Sequence, residues 1–210
     1  MELLAADIPF PETELRYANP FQLLVAVVLS AQCTDVRVNL VTPDLFEKFP
    51  DAASLAATNF DELFPLIRSI SYPNNKTKHL LKLGQQLMDH HGGEVPRSHE
   101  DLIKLQGVGR KTANVVTSVL YDEPRMAVDT HVFRVSKRLG IATGKTVLAV
   151  EKELTTNIPD ELIPKAHHYL ILHGRYTCTA RSPKCGKCSL TEVCKFFQAE
   201  QKKAAKKAGS

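Results

Sequence analysis

The chain has 210 residues, 43% hydrophobic and 24% charged, with a formal net charge of +4. This balance is that of an ordinary water-soluble globular protein, long enough for one large or two small domains. The longest apolar run, at 23–29, is far too short to span a membrane. Glu2 and Asp7 stand where a secretory signal would carry basic residues, so a cytoplasmic location is expected. Charge is segregated along the chain. Residues 1–100 hold 8 Lys/Arg against 13 Asp/Glu, residues 101–200 hold 15 against 10, and Lys202, Lys203, Lys206 and Lys207 follow. A basic surplus gathered in one half is what phosphate binding requires.

No segment sustains a two-residue alternation and helix caps recur, so an all-α fold is expected. Asn19 as N-cap and Pro20 at the first helical position open a strongly apolar helix, the expected central core element. It runs into Ser-Ala-Gln-Cys-Thr-Asp at 30–35, read locally as a helix end followed by the Thr34 or Asp35 cap of the next helix. Cys33 reads as a buried, inert thiol. Further helices are expected near 36–48, 51–57, 60–69 and 75–91, with Asp51 as a cap and Gly92-Gly93 as a stop. Between two of them, Ile-Ser-Tyr-Pro-Asn-Asn-Lys at 70–76 reads as a rigid Asx/Pro turn.

The stretch 98–131 organises the rest. Ser98 and Asp101 resemble a capping box with Asp in the acidic position. A short amphipathic helix follows, Gly107-Val108-Gly109 ends it, and a second helix runs from about 110 to 121 with Ala113, Val116, Val119 and Leu120 as its apolar face. The glycines permit a tight turn and close approach to a ligand, and the second helix would offer N–H groups to a phosphate. A plain helical corner and a DNA-backbone-binding hairpin both fit. A nucleotide-binding P-loop does not, because Arg110 interrupts Gly109 and Lys111 and no strand precedes. Asp129 reads as an N-cap, a functional carboxylate, or both. Helices near 146–155 and 160–175 come next. The latter carries His167, His168 and His173, for which surface or packing roles are expected.

Cys178, Cys185, Cys188 and Cys194 have the spacing C-x6-C-x2-C-x5-C. Disulfides are disfavoured without a secretory signal. Four thiolates suit tetrahedral zinc and equally an iron–sulfur cluster. Arg181 and Lys184 lie on the loop between the first two cysteines, where phosphate contact is expected. The low-complexity basic tail, 201–210, should act on DNA non-specifically and in a salt-sensitive way.

Leu-Gln-Gly-Val-Gly-Arg-Lys-Thr-Ala-Asn-Val-Val, Ala-Val-Asp-Thr-His-Val-Phe-Arg-Val and His-Gly-Arg-Tyr-Thr-Cys with its cysteine spacing together closely resemble the endonuclease III family of bacterial DNA glycosylases with associated lyase activity. The resemblance runs from about Pro20 to Cys194. It implies an all-α fold of two helical lobes with a DNA-binding cleft between them. One is a six-helix barrel-like domain at 13–123 with the helix–hairpin–helix at 98–121. The other is a discontinuous cluster domain of 1–12 and 124–200, with 201–210 as a flexible basic tail. It implies a [4Fe–4S] cluster on Cys178, Cys185, Cys188 and Cys194, with Lys111 and Asp129 catalytic. Gly107, Val108, Gly109 and Arg110 would meet DNA, as would Arg181 and Lys184. Gln32 would enter the gap left by an extruded nucleotide, where its amide can both donate and accept. Tyr72 stands where an aliphatic wedge is often found, and a large side chain there can unstack a base step.

The implied activity is that of a bifunctional base-excision DNA glycosylase/AP lyase, acting as a cytoplasmic, nucleoid-associated monomer on double-stranded DNA with oxidised pyrimidines or abasic sites. A lysine amine can attack the sugar C1′, displace the base and form a Schiff base that leads to strand cleavage by β-elimination. It must be neutral to attack, a state that desolvation and nearby positive charge favour. The alternatives are a monofunctional adenine-type glycosylase and a non-catalytic iron–sulfur DNA-binding protein. Lys111, and the absence of a long second domain after the cysteines, count against the former. The pairing of Lys111 with Asp129 counts against the latter. Two departures from the family pattern carry expectations. Gln106 replaces the usual proline before Gly-Val-Gly and should loosen the hairpin. The N-terminal helix is short and should weaken packing in its lobe.

Overall fold

A computed structural model of the chain describes residues 1–208, within which all regular structure is helical. In chain order the helices are α1 (Glu2–Asp7), α2 (Pro20–Ser30), α3 (Asp35–Lys48), α4 (Ala52–Ala57), α5 (Phe60–Ile67), α6 (Pro73–His91), α7 (His99–Leu102), α8 (Arg110–Tyr121), α9 (Thr130–Leu139), α10 (Val147–Asn157), α11 (Ile163–Tyr176) and α12 (Lys195–Ala208). Their starts follow from side-chain caps that supply acceptors to first-turn amides. Asn19 accepts from Gln22 N with Pro20 in the first turn, Thr34 from Arg37 N, Asn59 from Glu62 N and Thr146 from Ala149 N. Asp51 and Ser54 form a reciprocal capping box. At α7, Ser98 takes the Asp101 amide, while the Asp101 carboxylate turns to Lys104 at 2.8 Å.

The chain divides into two compact units, residues 13–121 and residues 1–12 with 122–210. In the first, α2 is the core. Every side chain from 23 to 29 is buried, against α3, α6 and α8. Six of this unit's helices have six residues or more, and α7 is a single turn. Helix α4 packs closely on α6 because Gly84 leaves the room: a Cβ there would come within 2.9 Å of the Ala56 nitrogen.

In the second unit the short α1 packs on α11 and contributes Leu4, 2% exposed, to a core with Val132, Val150, Leu154 and Leu170. The shortness that was expected to weaken this lobe is offset at its far end, where the Ser189 hydroxyl donates to Asp7 Oδ2 at 2.6 Å. Helices α9 and α11 meet at Gly174, where a Cβ would lie 2.9 Å from that of His131. The basic stretch, for which a frayed helix and a flexible arm both fit the sequence, is helical to Ala208 as part of α12. Its Lys and Ala residues are strong helix formers, and Lys203 pairs with Glu200 one turn back at 2.8 Å. The remainder of that tail, 209–210, lies outside the described residues.

Candidate functional site

In the first unit, α7 and α8 form the two arms of the expected hairpin. Val108 is buried and anchors the turn, whereas Gly109 and Arg110 are exposed. Gly107 adopts φ +82°, and a Cβ there would sit 3.0 Å from that of His79, so both the conformation and the space demand glycine. Gly109 faces open space. Its carbonyl accepts from Ala113 N at 2.9 Å, which closes the first turn of α8. The leading amides of such a turn have no partner within the helix and can bind an anion. Lys111 sits in this turn with its side chain exposed.

At Gln106 the hairpin is held by a residue that sequence reasoning missed. Gln86 of α6 accepts the Gln106 N–H at 2.7 Å and donates to Lys104 O at 3.2 Å. A proline at 106 has no N–H to give. The substitution that removed ring rigidity thus supplied the donor that pins the turn to α6.

Gln32 and Tyr72 lie in the same unit. Both are exposed, and both adopt left-handed backbone, with φ 54° and 57°. For a residue other than glycine this costs on the order of 1–3 kcal/mol and persists only where surrounding contacts enforce it. The stretch expected to be an Asx/Pro turn is helical from Pro73, which opens α6, so Asn74, Asn75 and Lys76 form that helix's first turn. Tyr72, just before it, points outward and is 61% exposed.

In the second unit Asp129 is the N-cap of α9. Its Oδ1 accepts from His131 N at 2.8 Å and Val132 N at 2.7 Å. Both bonds fall on a single oxygen, so Oδ2 is available for chemistry while the helix end holds the carboxylate's direction. Capping and a functional carboxylate are compatible in this residue.

The four late cysteines of the same unit line one pocket, with Leu139, His173, Phe196 and Phe197 among its walls. Arg138 Nη1 donates to Cys178 Sγ at 3.4 Å and to Thr179 O at 2.7 Å, and its Nη2 donates to Ala180 O at 2.8 Å. His173 Nε2 lies 3.7 Å from Cys188 Sγ. Burial, and next the neighbouring thiols of Cys178 and Cys194, push the Cys185 thiol up. Burial likewise pushes Cys188 up. Thiolates crowded in this way need a cationic group among them. Among the described residues no three His, Cys, Asp or Glu side chains converge as a single-ion site. A four-iron cluster takes its thiolates at separate corners and fits this set. The loop that carries Arg181 and Lys184 is held by Lys184 N to Thr177 O at 2.9 Å and Thr179 Oγ1 to Ser182 O at 2.6 Å. Both basic side chains are exposed. His167, His168 and His173 are all buried, as packing roles require. Arg138 and His173 were invisible as cluster-pocket residues because their partners lie elsewhere in the sequence.

Residues 25–160 match the model of the HhH-GPD superfamily base excision DNA repair proteins. Residues 178–194 match that of the iron-sulfur binding domain of endonuclease III. The chain is 50% identical over 196 residues to the endonuclease III of Bacillus subtilis, covering 93% of this chain and 90% of that one. It is 44% identical over 193 residues to the Escherichia coli K12 endonuclease III, covering 92% of each. Among solved structures it resembles a trapped endonuclease III–DNA covalent intermediate, an estranged-adenine complex, with a TM-score of 0.90 and 48% identity over 95% of this chain and 94% of that one. A thermostable thymine-DNA glycosylase shares the fold at a TM-score of 0.83 and 21% identity, covering 94% of each.

Proposed function

The chain belongs to the endonuclease III family within the HhH-GPD superfamily, and from that membership we propose a role for each of its candidate residues. It is a base-excision-repair DNA glycosylase with AP lyase activity, and it carries a [4Fe–4S] cluster. Its partner is DNA. We assign the cluster to Cys178, Cys185, Cys188 and Cys194, where it ties together a segment too small to make its own core. No chemical step passes through it.

Lys111 is the nucleophile. Its neutral amine attacks C1′ of the damaged nucleotide, the C–N bond to the base breaks, and the base leaves with the bonding pair. The attacking nitrogen then sheds a proton and the C1′–O4′ bond opens, O4′ taking up a proton, which gives the Schiff base; this acidifies C2′, loss of that proton expels the 3′ phosphate by β-elimination, and water releases the amine. Asp129, fixed by the α9 cap, stabilises the positive charge that develops on the sugar and moves protons through its second oxygen. Gly107, Val108, Gly109 and Arg110 hold the DNA backbone at the head of α8, and Arg181 and Lys184 hold it from the cluster loop. Gln32 fills the gap left by the extruded nucleotide and Tyr72 wedges the stack. The lesions are oxidised or fragmented pyrimidines, which leave the stack most easily because damage has weakened it. On this reading the protein works as a cytoplasmic, nucleoid-associated monomer.

The observation that carries the assignment is an exposed amine in the first turn of the hairpin's second helix. Borohydride trapping on duplexes carrying thymine glycol or an abasic site tests it. Wild type should form a covalent adduct on both, and Lys111→Ala should form none while still binding lesion DNA. An intact, cluster-loaded wild type that gives no adduct would sink the Schiff-base assignment.

A further inference from the structure

Lys76 is the buried cation of the first unit, 5% exposed. Its Nζ donates to Leu29 O at 2.8 Å and Ala31 O at 2.7 Å. These carbonyls close the C-terminus of α2, where a cation is electrostatically favoured and the last acceptors lack partners within the helix. The same lysine's backbone N–H donates to Tyr72 O at 3.1 Å. A single residue therefore bonds through its side chain to the position before Gln32 and through its main chain to Tyr72. Gln32 and Tyr72 have left-handed backbone in a unit whose other such position is Gly107, apart from the Gly92-Gly93 helix stop. Burial pushes the Lys76 ammonium down, the cost of holding it at this junction.

We propose that Lys76 is a positioning residue for DNA distortion: it ties the end of α2 to the start of α6 so that Gln32 and Tyr72 enter the duplex as one preset element. This rests on the reading of Gln32 as the plug and Tyr72 as the wedge. The strained backbone at both positions is held by the lysine before DNA arrives, so its energetic cost is met in folding and not during extrusion. Lys76 touches neither base nor sugar and acts only through these two residues.

The test compares wild type, Gln32→Ala, Lys76→Met and the double variant, all cluster-loaded. Lyase cutting is followed at an abasic site paired in a duplex and at one in a bulge with no opposite base. 2-Aminopurine opposite a stable abasic analogue reports on the estranged base. The bulge leaves no gap opposite a base, so it needs no plug. Lys76→Met should slow cutting of the paired site by about tenfold or more and Gln32→Ala by about tenfold, with the double variant no slower than Lys76→Met. The bulged site should slow less than the paired site in each variant, and the fluorescence change on binding should fall to that of Gln32→Ala. If Gln32→Ala is slow but Lys76→Met is fast, or the two losses multiply, the positioning role is overturned and the plug stands. If Gln32→Ala cuts the paired site at full rate, the plug reading fails and the proposal falls with it. Should Lys76→Met not fold, Lys76→Arg carries the comparison. Its wider, planar head displaces Ala31, so the paired site should slow more than the bulged site. Equal slowing on the two substrates would overturn the proposal.

Discussion

The region around α2 and the region from 178 to 194 are held by opposite means. Around α2, seven consecutive side chains at 23–29 are buried, and the surrounding helices pack on them without help. Between 178 and 194, only Leu190 and Cys194 are buried, and the one regular element is a 3-10 turn, Cys185–Lys187. That segment is held by hydrogen bonds from Arg138 and Arg134, by Ser189 to Asp7 and by the cluster. Burying apolar surface gives about 25 cal/mol per Å², so a segment that buries almost none must be stapled. The contrast teaches that the helices around α2 make a self-sufficient frame, while the 178–194 segment, unlike the apolar core of its own unit, depends on its cofactor.

Cys185→Ser should sharpen that contrast most. Removing one ligand should abolish the brown chromophore, and residues 178–194 should become protease-sensitive while 13–121 stay protected. Absorbance and limited proteolysis with mass spectrometry check this. Equal loss of protection in both regions would break the comparison.

A smaller effect should come from pH. His168 lies in the cluster-bearing unit, and burial depresses its pKa from 6.5 to about 4. Between those values the unfolded chain holds more protons than the folded one, so stability falls as pH drops from 6.5 toward 4. At pH 4 the loss is on the order of 3 kcal/mol. His168→Leu should flatten the acid limb of a denaturation series, and an unchanged slope would remove this histidine from the account.

The smallest expected effect is in the self-sufficient unit. Gln86→Ala removes both side-chain bonds to the hairpin and should cost about 1 kcal/mol. The chromophore should be untouched, and affinity for abasic-site DNA should weaken a few-fold in fluorescence anisotropy. Full affinity would show that the glycines alone hold the turn.

What was legible in the sequence was what neighbours decide. Asn19-Pro20, Thr34, Asp51, Ser98 and Asp129 mark helix starts because each acts within four residues of its own position. The cysteine spacing is also local and predicted one shared centre. What escaped was carried by partners far along the chain. Gln86 reaches Gln106 across 20 positions, Lys76 reaches Ala31 across 45, and Arg138 reaches Thr179 across 41. No pattern within a window announces such a bond. Lys76 was even quoted in a motif, yet nothing near it in sequence shows that its ammonium turns inward.

The second unit is assembled from segments on either side of the first. Asp7 and Ser189 are 182 positions apart, with the whole of residues 13–121 made between them. On the ribosome, α1 therefore emerges before residues 13–121 and waits, its Leu4 without the α11 surface it needs. The central unit can fold as soon as it clears the exit tunnel. Synthesis must then pass Cys194 before the early segment can dock and the four thiols can gather. The order of manufacture thus delivers the frame that carries the hairpin before the part that takes up the cluster.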